Sequence, residues 1–88
     1  MRYAARVDAN QAEIVKALRD VGAFVWIIGL PVDLLVGYRG HTFLMEIKTN
    51  SKKGLTDLQR DFFSSWDGGI VCRIDTVESA LRMIGVAK

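Results

Sequence analysis

Cysteine, histidine and long apolar runs are scarce in this chain, and each scarcity excludes a class of protein. Cys72 is the only cysteine and His41 the only histidine, so an intrachain disulfide and a zinc site of paired Cys and His ligands are both excluded. The apolar stretch at residues 24–30 is too short to span a bilayer, and residues 1–6 lack the apolar core of a signal peptide. We therefore expect a protein of the reducing cytoplasm, outside the membrane.

The chain also lacks a large excess of either charge. Its 12 basic and 10 acidic side chains give a net charge of +2, a slight preference for polyanionic partners that falls well short of a histone-like charge. Half of its 88 residues are apolar, which is typical of one globular domain, here spanning residues 1–88. So small a domain has apolar surface to spare, and we expect a homodimer to cover part of it.

Apolar periodicity and turn residues predict seven elements in the order α-β-β-β-α-β-α. The first helix has Asp8 as its N-cap and Gly22 as its stop, and the second opens on a capping box formed by Thr56 and Gln59. Another box, opened by Asp75, starts the third helix. The predicted strands are residues 23–28, 32–38, 41–48 and 70–74. This order predicts an α/β fold with helices packed on a small mixed sheet.

Two carboxylates on neighbouring strands are the first sign of a functional site. If Arg39 and Gly40 form a two-residue turn, counting back along both strands places Asp33 opposite Glu46. Side chains alternate along a strand, so the two carboxylates leave one face with Cβ atoms roughly 5 Å apart. Lys48, two residues after Glu46, points to the same face. A turn one residue longer would send the two acids to opposite faces.

This pair of acids suits a divalent cation. Like charges at such a distance repel, and Mg²⁺ is commonly held by one or two carboxylates together with waters and a substrate phosphate. A cation beside the ammonium group of Lys48 can polarise a phosphodiester and offset the charge that develops on it. The residues therefore favour phosphodiester hydrolysis, in which Lys48 either positions the attacking water or stabilises the transition state.

Asp33 and the segment Glu46-Ile47-Lys48 together resemble the Asp…Glu-x-Lys core of the PD-(D/E)xK nucleases. The chain is more closely similar to the virus-type replication-repair nuclease (VRR-NUC) domain, and that likeness covers nearly its whole length. It is carried by a helix bearing Glu13 and by residues 31–34, 45–49, 55–59 and 68–71. An upstream Asp combined with Glu-x-Lys and a Leu-Thr-x-x-Gln helix start is considerably more specific than Glu-x-Lys alone.

The resemblance implies a restriction-endonuclease-like fold and a Mg²⁺-dependent endodeoxyribonuclease, with Mn²⁺ as the alternative ion. Stand-alone viral and bacterial members are similar to homodimeric resolvases of four-way (Holliday) junctions, so the implied substrate is branched DNA in a bacterial or virus-infected cell. The resemblance assigns the metal to Asp33, Glu46 and the backbone carbonyl of Ile47. It assigns catalysis to Asp33, Glu46, Lys48, Gln59 and Glu13.

Several candidate residues also have an ordinary structural explanation. The capping box accounts for Gln59 without any site, although the helical wheel turns this residue towards the sheet. Glu13 lies at the edge of an apolar stripe and, taken alone, is a solvent-facing glutamate. Lys52, Lys53 and Arg60 either contact DNA phosphates or simply keep the surface soluble.

A non-catalytic nucleic-acid-binding module with a nuclease-like fold is the competing function. It would use the three basic residues for phosphate contacts and leave the acids idle. Two carboxylates facing the DNA backbone would only weaken such binding, which favours the enzyme. The remaining large side chains are predicted to form the core, namely Trp26, Trp66, Phe62, Phe63 and Cys72.

Overall fold

The computed structural model of this chain describes residues 8–50 and 52–86. Three helices and four strands follow one another in the predicted order. They are α1 (Gln11–Asp20), β1 (Phe24–Ile27), β2 (Leu34–Tyr38), β3 (His41–Ile47), α2 (Asp57–Ser65), β4 (Ile70–Ile74) and α3 (Val77–Met83). Within the described residues, no helix is long and apolar enough to cross a membrane.

The four strands form one mixed sheet in the order β1-β2-β3-β4. The first three are antiparallel, and β4 joins β3 in parallel after the chain has passed through α2. Arg39 and Gly40 form the turn between β2 and β3, and both have positive φ angles, 50° and 83°, as a tight two-residue hairpin requires. Leu34 consequently pairs with Met45, which confirms the predicted register.

One face of the sheet is covered by α1 and α3, and we call it the core face. Alternate residues of the strands reach it, among them Leu34, Val36 and Met45, which are all fully buried. Ile14 and Leu18, one turn apart on α1, pack against them without any exposed surface. This face holds the hydrophobic core of the protein.

The opposite face, which carries the intervening strand residues, is called the site face. α2 lies on this side and contributes no buried residue. Trp26 of the edge strand β1 is 60% exposed, so its assignment to the core is wrong: it points away from α1 and α3. Trp66 is also exposed, Phe62 and Phe63 are half-buried, and only Cys72 belongs to the core as predicted. Burial raises the pKa of the Cys72 thiol to about 12.

Helix starts depart from the sequence-based expectation at two of three places. The predicted capping box of α2 is present, with Thr56 and Gln59 each accepting a hydrogen bond from the other's backbone N–H. In α3 the box is formed by Thr76 and Ser79 instead of starting at Asp75. The prediction placed the cap one residue too early because Asp and Thr are both good N-caps and stand side by side.

The second departure concerns Asn10, the residue before α1. It replaces Asp8 as the N-cap residue, yet its side chain makes no capping hydrogen bond. Its amide instead donates to the backbone carbonyls of Lys48, at 3.0 Å, and Asp75, at 2.7 Å. The start of α1 is thereby fixed to the carboxyl ends of two parallel strands, β3 and β4.

Candidate active site

Asp33 and Glu46 meet on the site face at the end of the β2–β3 hairpin. The register that pairs Leu34 with Met45 continues by one residue and sets the two acids opposite each other, as predicted. Asp33 Oδ2 accepts a hydrogen bond from the backbone N–H of Ile47 at 2.8 Å. This bond holds the Asp33 carboxylate against β3, one residue beyond Glu46.

The surroundings of both carboxyl groups disfavour the charged form. Burial raises the pKa of Glu46, and the neighbouring charge of Asp33 raises it further, while hydrogen bonds from Gln59 and Lys48 act in the opposite direction. Burial is also the main cause that raises the pKa of Asp33, partly opposed by the hydrogen bond from Ile47. Two carboxylates of this kind are an unfavourable arrangement unless positive charge joins them.

Lys48 supplies one such charge and is held in place from two sides. Its ammonium nitrogen lies 3.3 Å from Glu46 Oε2 and donates to Gln59 Oε1 at 3.1 Å. The Lys48 side chain is only 13% exposed, so its long stem has little freedom. Gln59 therefore contacts Lys48 in addition to capping α2, because the same oxygen that closes the capping box also accepts the hydrogen bond from Lys48.

These groups line a pocket of about 320 Å³. Asp33, Glu46, Ile47, Lys48 and Gln59 all border it, so five of the six residues predicted for metal binding or catalysis come together. The sixth is Glu13, which is exposed on α1 and does not border the pocket.

The three predicted phosphate-binding residues are placed differently from one another. Lys53 borders the pocket, and its ammonium lies 3.9 Å from Asp8 Oδ1. Lys52 is exposed beside the loop that leads to α2. Arg60 is turned along α2, where its guanidinium pairs with Asp57 at 2.7 Å and donates to the backbone carbonyl of Leu55 at 3.0 Å. Lys53 is therefore the one closest to the acids.

Sequence reasoning missed two residues that border the same pocket, Asp8 and Gln11. Asp8 was assigned only a capping role, but its negative charge contributes to the raised pKa of Asp33. Gln11 was given no role and is 93% buried, with 7% of its surface exposed. The signal that could have revealed it is a polar residue beside the apolar stripe of α1.

The donor set of the pocket fits a hard cation. In the described ranges 8–50 and 52–86, no group of three or more His, Cys, Asp or Glu side chains is placed to hold a metal ion. What the site offers is a pair of carboxylates with raised pKa, next to backbone oxygens and without sulfur or imidazole. Mg²⁺ accepts such a set, because it retains several waters and needs only one or two carboxylates.

Comparison of the chain with protein-family models, with curated proteins and with solved structures finds no match. The conclusions about this site consequently rest on its residues and their geometry.

Proposed function

We propose that this protein is a Mg²⁺-dependent endonuclease with a restriction-endonuclease-like fold, akin to VRR-NUC domains, that hydrolyses phosphodiester bonds of branched DNA. The observation that carries the proposal is the pairing of Asp33 and Glu46, two acids with raised pKa, beside the largely covered side chain of Lys48 in one pocket. A protein that used this surface only for packing would gain nothing from opposing two acids there.

Asp33 and Glu46 would hold the cation, and Mn²⁺ is the alternative to Mg²⁺. When bound, such an ion polarises the scissile phosphodiester and makes water a better nucleophile at neutral pH. Lys48 contributes a fixed positive charge beside the phosphate, and Gln59 keeps that charge in position through its hydrogen bond. Gln59 is in this scheme a positioning residue, whereas Lys48 acts on the phosphate directly.

A homodimer would bring two such sites to opposing strands of a four-way junction. The apolar surface of the site face supports this part of the proposal, since Phe24 and Trp26 are both more than half exposed and stack at 6.1 Å between ring centroids. Exposed aromatic pairs of this kind are common at interfaces. Sedimentation of the protein at micromolar concentration measures whether it is a dimer.

Cleavage of a labelled four-way junction, with a linear duplex beside it, tests the proposed activity. In Mg²⁺ the wild type should cut the junction, whereas EDTA, Lys48→Ala and Asp33→Asn should each lower the rate by about a thousandfold, the scale of losing a group that stabilises developing charge. Lys16→Ala is the matched control, because it removes an exposed lysine of α1 that lies outside the pocket. Its rate should stay within twofold of the wild type.

A wild-type protein that binds the junction but cuts it in neither Mg²⁺ nor Mn²⁺ contradicts the nuclease. The competing function, a nucleic-acid-binding module without catalysis, would then take its place.

A further inference from the structure

Gln11 stands out among the buried side chains of the described residues. Only two polar or charged residues there are buried, Gln11 and Glu46. Glu46 has Lys48 as its partner, but the side chain of Gln11 makes no hydrogen bond to any described residue. The side chain of Gln11 is thus almost wholly covered while its amide stays without a protein partner, which makes it a candidate to bind a group from outside the protein.

The unpartnered amide of Gln11 has access to open space. The only fully enclosed side-chain polar atom without a partner in residues 8–50 and 52–86 is Asn10 Oδ1, so the amide atoms of Gln11 are not sealed in. Gln11 borders both the pocket of Asp33 and a neighbouring groove along α1. Side chains on a helix lean towards its N-terminus. For the first residue of α1 that is the direction of Asp8 and the pocket.

The backbone holds Gln11 firmly beside the site. Its own N–H donates to the carbonyl of Asp8 at 3.0 Å, and the preceding residue, Asn10, is bound to the carbonyl of Lys48. Lys48 is the proposed catalytic lysine, so Gln11 directly follows a residue that is hydrogen-bonded to the backbone of that lysine. A ligand in the pocket would meet the amide at a defined position.

The chemistry of the pocket decides what the amide binds. Acceptor oxygens are plentiful there, on Asp8, Asp33 and Glu46, but donors are few. The ammonium of Lys48 is engaged by Glu46 and Gln59, and that of Lys53 lies near Asp8. A phosphate brought to the site adds further acceptor oxygens. The N–H groups of Gln11 can serve them without adding another charge to a buried site.

We propose that the carboxamide of Gln11 binds the DNA strand in the pocket, with Nε2 donating a hydrogen bond to a phosphate oxygen. This inference rests on the proposed nuclease function and adds a substrate-binding residue to it. α1 strengthens the contact, because its N-terminal end carries a partial positive charge and Asn10 provides no side-chain cap.

Binding of fluorescein-labelled four-way junction DNA in Ca²⁺, with Gln11→Met and Gln11→Ala beside the wild type, tests the inference. Gln11→Met keeps most of the side-chain volume but loses the amide, so it separates hydrogen bonding from packing. We expect both variants to bind the junction about tenfold more weakly, as for one lost hydrogen bond to a charged group. Ala12→Gln is the control, since Ala12 is exposed and does not border the pocket. It should bind as the wild type does.

Two further readouts separate the role of Gln11 from a structural one. The affinity for Mn²⁺ without DNA, measured by electron paramagnetic resonance, should stay within twofold in Gln11→Met. The side-chain amide protons of Gln11 in the wild type should shift in the NMR spectrum when junction DNA is added.

Wild-type affinity for DNA in Gln11→Met, in a protein that cuts the junction normally, would overturn this inference and leave the nuclease standing. An equal loss of Mn²⁺ affinity would overturn it as well, because Gln11 would then act on the cation or the fold. A wild type that binds neither Mn²⁺ nor DNA would refute both proposals together.

Discussion

The two faces of the sheet differ in polarity and in burial. On the core face the buried side chains form one hydrophobic cluster, and Ile14, Leu18 and Met45 have no exposed surface at all. On the site face, the middle of β3 carries Glu46, a buried acid, and the edge strand exposes Trp26. The stability of the domain is thus concentrated on one side. The other side is free to hold charges and strained electrostatics that would be too costly in a core.

β3 shows this division within a single strand. Residues 43–47 are all buried, yet Met45 points into the apolar core while Glu46 points into a pocket with Asp33 and Lys48. Since alternate residues of a strand serve different layers, the register of this one hairpin determines both the core and the site.

The largest stability effect should separate the two faces directly. Leu18→Ala removes a fully buried side chain of the core face, and we expect it to lower the free energy of unfolding by about 3 kcal/mol. Trp26→Ala deletes a larger side chain from the site face but should cost less than about 1 kcal/mol in the monomer, because 60% of it is already exposed. Urea unfolding of both variants makes the comparison. Equal losses would show that the site face is a second core.

A smaller effect is expected where the two faces are joined. Asn10→Ala removes both hydrogen bonds that fix the start of α1 to the ends of β3 and β4. We expect a loss of about 2 kcal/mol in unfolding free energy, together with slower junction cleavage because the backbone of Lys48 is released. Asn10→Asp keeps the shape but not the donor, so it should be no more stable than Asn10→Ala. Stability of Asn10→Asp equal to that of the wild type would contradict the role of the amide.

The smallest effect should come from pH and should be confined to the site face. The pKa of Asp33 and that of Glu46 are both raised by folding above the ordinary values of 3.8 and 4.5. The folded protein therefore keeps its protons to higher pH than the unfolded chain, and stability falls as pH rises through these raised values. Thermal melting between pH 4 and 7 should show this decline in the wild type.

Asp33→Asn serves as the comparison in that experiment. It removes one charge while an oxygen remains to accept from the N–H of Ile47, so the decline with pH should become shallower. Added Mg²⁺ should likewise reduce the decline in the wild type and have less effect on the variant. A wild type that gains stability over the same range would contradict the raised pKa values.

The sequence predicts the parts of this structure that depend on local patterns. Gly40 at a two-residue turn was enough to place Asp33 opposite Glu46, because a turn length sets the register of the entire hairpin. The capping box of Thr56 and Gln59 was likewise predictable from their spacing. Both features involve residues that are close together in the chain or joined by one tight turn.

Features that depend on distant contacts were not predictable in this way. The start of α1, at Asn10 and Gln11, is held at the ends of β3 and β4. The two hydrogen bonds of Asn10 reach residues that lie 38 and 65 positions further along the chain. Trp26 was assigned to the core because its strand is apolar, but the pattern of one strand does not tell whether it lies at an edge. Nothing in the local sequence distinguishes an aromatic residue that a helix covers from one that remains open.

The hydrogen bond from Asn10 to the carbonyl of Asp75 has a consequence for the growing chain on the ribosome. Residues 10, 33, 46 and 48 are synthesised well before residue 75, so the acids and the lysine exist for a time without the strand that anchors α1 beside them. Closing so long a loop is also among the slower events of folding. We therefore expect the pocket to be completed late, after residue 75 has been synthesised and has bound Asn10.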